Sequence, residues 1–268
     1  MYRILSGIFT LLIPVVMLAT TGVAWAAPEA DHADDETTLN VKLGYDRTVG
    51  KYGQSAKSTT STNSVAITYD TDAASFDVLF PYLSQSGPGR LIAIAGRRPI
   101  VVLGPDQKGS GLGDITAGMT RYALNEEDHG VDLDFGATIK FHSASAAKGL
   151  GSGKTDLALQ SNLAHSFGLF STALTVGYSI VGKPSNQHYR NAFYSSLDGS
   201  FKISKAVSVG LTYSGGASII QGLPGSRDVT AYINFKPTRK IKFDIYYLTG
   251  RSTQSPDNGA GITVAYDF

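Results

Sequence analysis

Between residues 37 and 268, apolar side chains recur at every second position in about twelve separate segments. The segment at 131–141 shows this most cleanly. Val131, Leu133, Phe135, Ala137, Ile139 and Phe141 alternate with Asp132, Asp134, Gly136, Thr138 and Lys140. Successive side chains of a strand point to opposite faces, so this period of two describes a strand with one apolar and one polar face. The final segment alternates up to the last residue. Ala260, Ile262, Val264, Tyr266 and Phe268 oppose Gly261, Thr263, Ala265 and Asp267. After the first 26 residues no apolar stretch is long enough to cross a membrane as a helix. Residues 92–103 come nearest, and Gly96, Arg97, Arg98 and Pro99 interrupt them. If such a chain enters a bilayer, it must do so as a closed barrel, which satisfies its backbone polar groups between strands. The prediction is an all-β fold, a transmembrane up-and-down antiparallel β-barrel occupying residues 37–268.

The links between these segments differ in length in a regular way. Those at 71–74, 126–130, 166–168, 204–206 and 237–240 are short. Those at 48–62, 84–113, 142–154, 182–190, 215–227 and 250–259 are long. Short turns on one side and long loops on the other is the arrangement of outer-membrane barrels, with the short side periplasmic. Both termini then fall in the periplasm. A soluble β-sandwich has no reason to sort its connections by length onto alternate ends.

Residues 1–26 read as a secretory signal: Arg3 supplies the positive start, an apolar run follows, and Ala24-Trp25-Ala26 forms a small-residue cleavage site. Residues 27–36 read as an acidic periplasmic leader. Asp31, His32, Asp34 and Asp35 within it are better explained as a solvated run than as a metal site. Loss of Arg3 with the signal balances 22 basic against 22 acidic residues, which gives nucleic acid no electrostatic footing. The chain has no cysteine, so disulfides, thiolate metal sites and cysteine nucleophiles are excluded. The predicted location is a bacterial outer membrane. The predicted partners are its lipid, a small-molecule solute, and the barrel-assembly machinery, which would engage the last strand ending in Phe268.

On the polar faces the alternation places charges of both signs. The candidate lumen charges are Lys42, Asp46, Asp77, Asp132, Asp134, Lys140, Asp198, Lys202, Lys236, Lys242, Asp244 and Asp267. Such a mixture implies a hydrated interior cross-linked by ion pairs rather than a strongly selective ring. No metal, nucleotide or redox cofactor is implied. The run from Gly149 to Thr155 resembles a phosphate-binding loop, but Lys148 stands where the first glycine belongs and a strand follows it. A rim hydrolase would need a nucleophile beside a histidine base. His142 has Ser143 and Ser145 nearby, but neighbours on a strand point apart, and no Gly-x-Ser-x-Gly occurs. No catalytic residue is assigned.

The segment 87–112 is apolar beyond what a solvated loop carries. Residues 91–95 and 100–103 flank Gly96, Arg97, Arg98 and Pro99. Two readings are open: a hairpin packed on itself outside the membrane, which is preferred, or an inward fold that narrows the lumen. In the second, Arg97 and Arg98 are the constriction candidates.

Four pieces of the chain carry a resemblance. They are Pro81 to Gly89, Ser110 to Ile115 with its Gly-Leu-Gly-Asp, Gly149 to Asp156, and Gly177-Tyr178 followed by Gly182-Lys183-Pro184. Together they resemble the outer-membrane transporter family named after the meta-cleavage pathway of phenol degradation, over roughly residues 81–184. Where that family often has Pro-Thr-Gly-Asp after the fifth strand, this chain has a run beginning at His142. The resemblance implies a passive channel for small, often aromatic or hydrophobic, solutes. It supplies no catalytic or binding residues. A lipid-modifying barrel enzyme and a structural or adhesive surface barrel are the alternatives.

Overall fold

The computed structural model describes residues 37–184 and 188–268, with the side chains of Arg90, Arg97, Arg98, Leu103, Pro105 and Gln107 outside the description. The segments read from sequence as a signal (1–26) and an acidic leader (27–36) lie outside the described residues. The strands are β1 (Thr38–Gly50), β2 (Ser58–Asp70), β3 (Ala74–Ile94), β4 (Arg97–Leu112), β5 (Thr116–Leu124), β6 (Asp132–Lys140), β7 (Asp156–Phe167), β8 (Phe170–Ile180), β9 (Ala192–Lys202), β10 (Val207–Gly216), β11 (Ser226–Phe235), β12 (Ile241–Gly250) and β13 (Asn258–Asp267). All pairings between them are antiparallel.

Twelve wall positions close the barrel, because β4 and β5 share one. The first part of β3 pairs with β5, from Ala74 opposite Arg121 to Leu79 opposite Thr116. The second part pairs with β4, from Tyr82 opposite Leu112 to Ile94 opposite Arg97. Between β4 and β5 lie Gly113, Asp114 and Ile115. Closure runs through the last strand. β13 pairs with β1 from Asn40 opposite Asp267 to Val49 opposite Asn258, and the Phe268 amide donates to the Leu39 carbonyl at 3.0 Å. With no open edge, the ladder satisfies the backbone internally.

The two faces divide as the alternation requires. Leu43, Phe135, Leu197, Leu211, Ile245 and Tyr247 are among the many large apolar side chains exposed on the outer wall. Aromatic side chains gather towards both rims. Towards the short-turn end, Phe235 stacks on Phe243 at 6.1 Å and Tyr266 meets Phe268 edge-on at 4.8 Å. Towards the long-loop end, Tyr178 lies 4.6 Å from Phe193. A ten-residue strand is about 33 Å long, and a tilt of about 40° brings it near the ~25 Å apolar band of outer-membrane barrels. No helix among the described residues is long and apolar enough to cross a membrane.

Several boundaries differ from the sequence reading. The link at 84–113 is for the most part strand: β3 and β4 continue past the wall as one hairpin. The fourth wall strand begins at Thr116 rather than Asp114, and Asp114 is buried in the break before it. The link at 126–130 holds one helical turn, α1 (Glu126–His129), capped by the Asn125 side chain and ended by Gly130 at φ 75. Glycine accepts that left-handed conformation without the usual steric cost.

Candidate functional site

The long hairpin does not pack on itself outside the barrel. β2 stops pairing with β3 at Thr59 opposite Ser86, and the next three residues are Gly87, Pro88 and Gly89. Both glycines have positive φ, 105° and 101°, and the register with β4 shifts between Pro88 and Arg90. A Cβ on Gly87 would stand 2.8 Å from the Ser58 Cα, so no other residue fits there. Buried Gln85 staples the bend. Its amide donates to the Gly89 carbonyl at 2.8 Å, and its oxygen accepts from the Leu91 amide at 3.1 Å. The Pro88 carbonyl accepts from Gln54 at 3.3 Å and from the Ser58 hydroxyl. A bulge of this kind re-aims a strand pair, here away from the wall.

From the bend the hairpin crosses the mouth towards the wall formed by β6 to β9. Its two faces are buried in different clusters. Ile92, Ile94 and Ile100 pack with Val181, Tyr189, Ala192 and Ile219. Leu91 and Val101 pack with Tyr52, Leu83, Ala144 and Leu150. This two-sided burial accounts for the continuous apolar runs at 91–95 and 100–103. The tip turns at Ala95 and Gly96. Gly96 has φ 71, and a Cβ there would lie 2.7 Å from the Ala158 Cβ on β7. Ala95 is fully buried with Ala158 and Tyr194, and its carbonyl accepts from the Ser179 hydroxyl of β8 at 2.9 Å.

Lys140 clasps the hairpin from β6. Its ammonium lies 3.2 Å from Asp114 and 3.0 Å from Asp156, with all three side chains fully buried. It also donates to the Ala93 carbonyl at 3.1 Å and to Ser152 at 3.1 Å. The carboxylates are held in turn: Asp114 accepts from the Ala144 amide at 3.0 Å and Asp156 from the Gly182 amide at 2.8 Å. One buried cation thus joins the hairpin, the break before β5 and two external loops. The hydrogen bonds that satisfy each member are what make burial of such charges tolerable.

The sequence-derived lumen charges fall on inward positions, away from the exposed apolar face. Asp77, Asp132, Asp134 and Asp244 are buried, and Lys42, Asp46, Asp198, Lys202, Lys236, Lys242 and Asp267 are half-buried. Asp198 accepts from Thr212 at 2.6 Å and from the Tyr232 hydroxyl at 2.9 Å. Asp244 accepts from Asn234 at 2.5 Å and from Thr263 at 3.1 Å. Asp267 accepts from Asn40, and Asp132 from the Glu126 amide at 2.7 Å. Lys42 shares its surroundings with Lys242, Asp70, Asp244 and Asp267. Backbone around Arg97 and Arg98 follows the tip, while their side chains lie outside the described residues.

The sequence reading missed Asp70, Asp156 and Asp228, which are also inward, and Asp114 of the clasp. The first three sit at polar positions of alternating segments, so their phase was available as a signal. The predicted set already holds seven carboxylates against five lysines, and these four widen the excess to eleven against five among the described residues. Inward tyrosines were missed as well. Tyr194, Tyr232 and Tyr246 each lie over a glycine of the paired strand, Gly177, Gly210 and Gly261. Tyr194 also donates to Gln160 at 2.9 Å. Their bulk needs a glycine directly opposite, and that pairing depends on register.

His142 and Ser143 do not form a nucleophile–base pair. The His142 ring meets Thr155 at 3.0 Å, while Ser143 donates to the Gly113 carbonyl at 3.0 Å.

No family model and no curated protein matches the chain. Solved structures match in fold. An outer-membrane channel from Pseudomonas putida F1 superposes with a TM-score of 0.66 at 13% identity, covering 90% of this chain and 100% of the other. The NanC porin gives 0.54 at 11% identity, over 86% and 100%. The translocator domain of the autotransporter NalP from Neisseria meningitidis gives 0.51 at 11% identity, over 89% and 90%. At these identities the likeness defines the class of fold, a twelve-stranded transmembrane-type barrel.

Proposed function

We propose that this protein is an outer-membrane channel through which small solutes diffuse passively, with both termini and the short turns in the periplasm. The observation that carries the reading is the placement of the hairpin. A closed barrel with a polar, charged interior is crossed at its long-loop mouth by a separate element, held by a few specific contacts rather than built into the wall. A purely structural barrel has no use for such an element, whereas a channel uses one to set the narrowest point of its path. The channel and porin among the structures of like fold support this reading.

The solute class follows from the resemblance over residues 81–184, which implies small, often aromatic or hydrophobic, molecules. Arg97 and Arg98, next to the tip in sequence, are the constriction candidates of this reading. The test is solute flux into liposomes containing the refolded protein. The reading expects small aromatic solutes to enter faster than sugars of similar size. Equal leakage of both, or none beyond empty liposomes, contradicts it.

A further inference from the structure

We propose that the lumen prefers cations, and that Asp134 on β6 is a binding station for an ammonium group or a monovalent metal ion on its way through. This deepens the channel reading and rests on it.

The argument begins with where the inward charges are spent. Lys140 faces Asp114 and Asp156. Lys42 and Lys242 lie among Asp70, Asp244 and Asp267. β6 has a different environment. Asp132 and Asp134 stand two residues apart on its inward face, so both carboxylates enter the lumen on the same wall. Across the strands, Asp134 is paired with Tyr122 of β5 and Asn162 of β7. The charged neighbour it feels is Asp132. Its side chain is 3% exposed, and Oδ2 is buried with no hydrogen-bond partner.

A buried carboxylate oxygen without a donor is costly, and native structures normally satisfy it. The groups around Asp134 do not supply the missing charge. Tyr122 spends its hydroxyl on Asp70 at 3.2 Å, and Asn162 accepts from Thr175 at 3.0 Å through its oxygen, which leaves its amide to face Asp134 as a neutral donor that brings no charge. What completes the site is a cation from the aqueous path. An interior in which carboxylates exceed ammonium groups also raises the local concentration of cations and repels anions. A potassium ion and the amine of an organic solute carry the same charge chemistry, and the experiment separates them.

The refolded protein is placed in a planar bilayer under a potassium chloride gradient, and the reversal potential is measured for the wild type, Asp134→Asn and Asp72→Asn. Asp72 lies in the exposed turn between β2 and β3 and carries the same charge change outside the lumen. The inference expects a cation-selective wild type. It expects the reversal potential to shift towards zero in Asp134→Asn and to stay in Asp72→Asn. Benzylamine and benzoate, two aromatics of opposite charge, form the second arm and need no variant. Benzylamine should block or carry current at lower concentration than benzoate. If potassium is selected but benzylamine behaves as benzoate does, the station takes the metal ion alone. An anion-selective or non-selective wild type overturns the inference, as does an unchanged potential in folded Asp134→Asn. If Asp134→Asn does not fold, the wild-type potential and the benzylamine–benzoate comparison decide. Absence of any conductance overturns the channel reading itself, and this inference with it.

Discussion

The ammonium of Lys140 lies 3.1 Å from the backbone carbonyl of Ala93. That contact joins the barrel wall to the hairpin that crosses its mouth, and the two carboxylates beside it, Asp114 and Asp156, make it expensive to break.

Lys140→Met should therefore do two things at once. It leaves two buried carboxylates without their counter-ion, which costs about 3–5 kcal/mol. It also releases the hairpin from β6. The expected outcome is a lower urea midpoint together with larger or noisier single-channel currents. Adding Asp114→Asn and Asp156→Asn should recover part of the stability, because the stranded charges go, without restoring the quiet current.

At the tip, Gly96→Leu should displace the hairpin. The Cβ alone would come within 2.7 Å of Ala158, and the position needs φ 71. A strained non-glycine residue of this kind costs about 1–3 kcal/mol. Gly168→Ala is the matched control, with φ 68 and nothing within 4 Å of its Cβ. The control should lose a little stability and keep the wild-type conductance, whereas Gly96→Leu should raise it.

Leu211→Lys and Ser196→Lys separate the two faces of the barrel. Leu211 is 58% exposed on the outer wall, while Ser196 faces inward between Thr175 and Ser214. A lysine facing lipid near the midplane costs about 2–4 kcal/mol. Refolding yield into bilayers should fall for Leu211→Lys. Ser196→Lys should insert well and alter ion selectivity.

Cleavage after Ala26 is expected from the Ala24-Trp25-Ala26 site. Intact-mass measurement on protein extracted from membranes should give a chain beginning at Ala27, and a mass that retains residues 1–26 contradicts it.

Much of the barrel was legible because its signal is local. Val131, Leu133 and Phe135 against Asp132 and Asp134 already state which face meets lipid, and the loops sort by length without reference to any distant residue. The hairpin was not legible in the same way. Residues 91–95 and 100–103 are apolar at successive positions, which marks burial on both faces but not against what. Its direction is set by the bend at Gly87, Pro88 and Gly89 and by partners remote in sequence, Ala158, Ser179 and Tyr194. The clasp has the same character: Lys140 was visible as an inward charge, while its pairing with Asp114 and Asp156 depends on how three separate segments meet.

The central claim is that the 91–103 hairpin narrows the path through the lumen. The direct test is single-channel conductance of the refolded protein with and without residues 91–103. The wall ladder does not depend on them, so the shortened protein should still fold as a closed barrel. The account predicts a larger conductance and a higher solute size limit in the deletion variant. A folded variant with unchanged conductance and an unchanged size limit would contradict it.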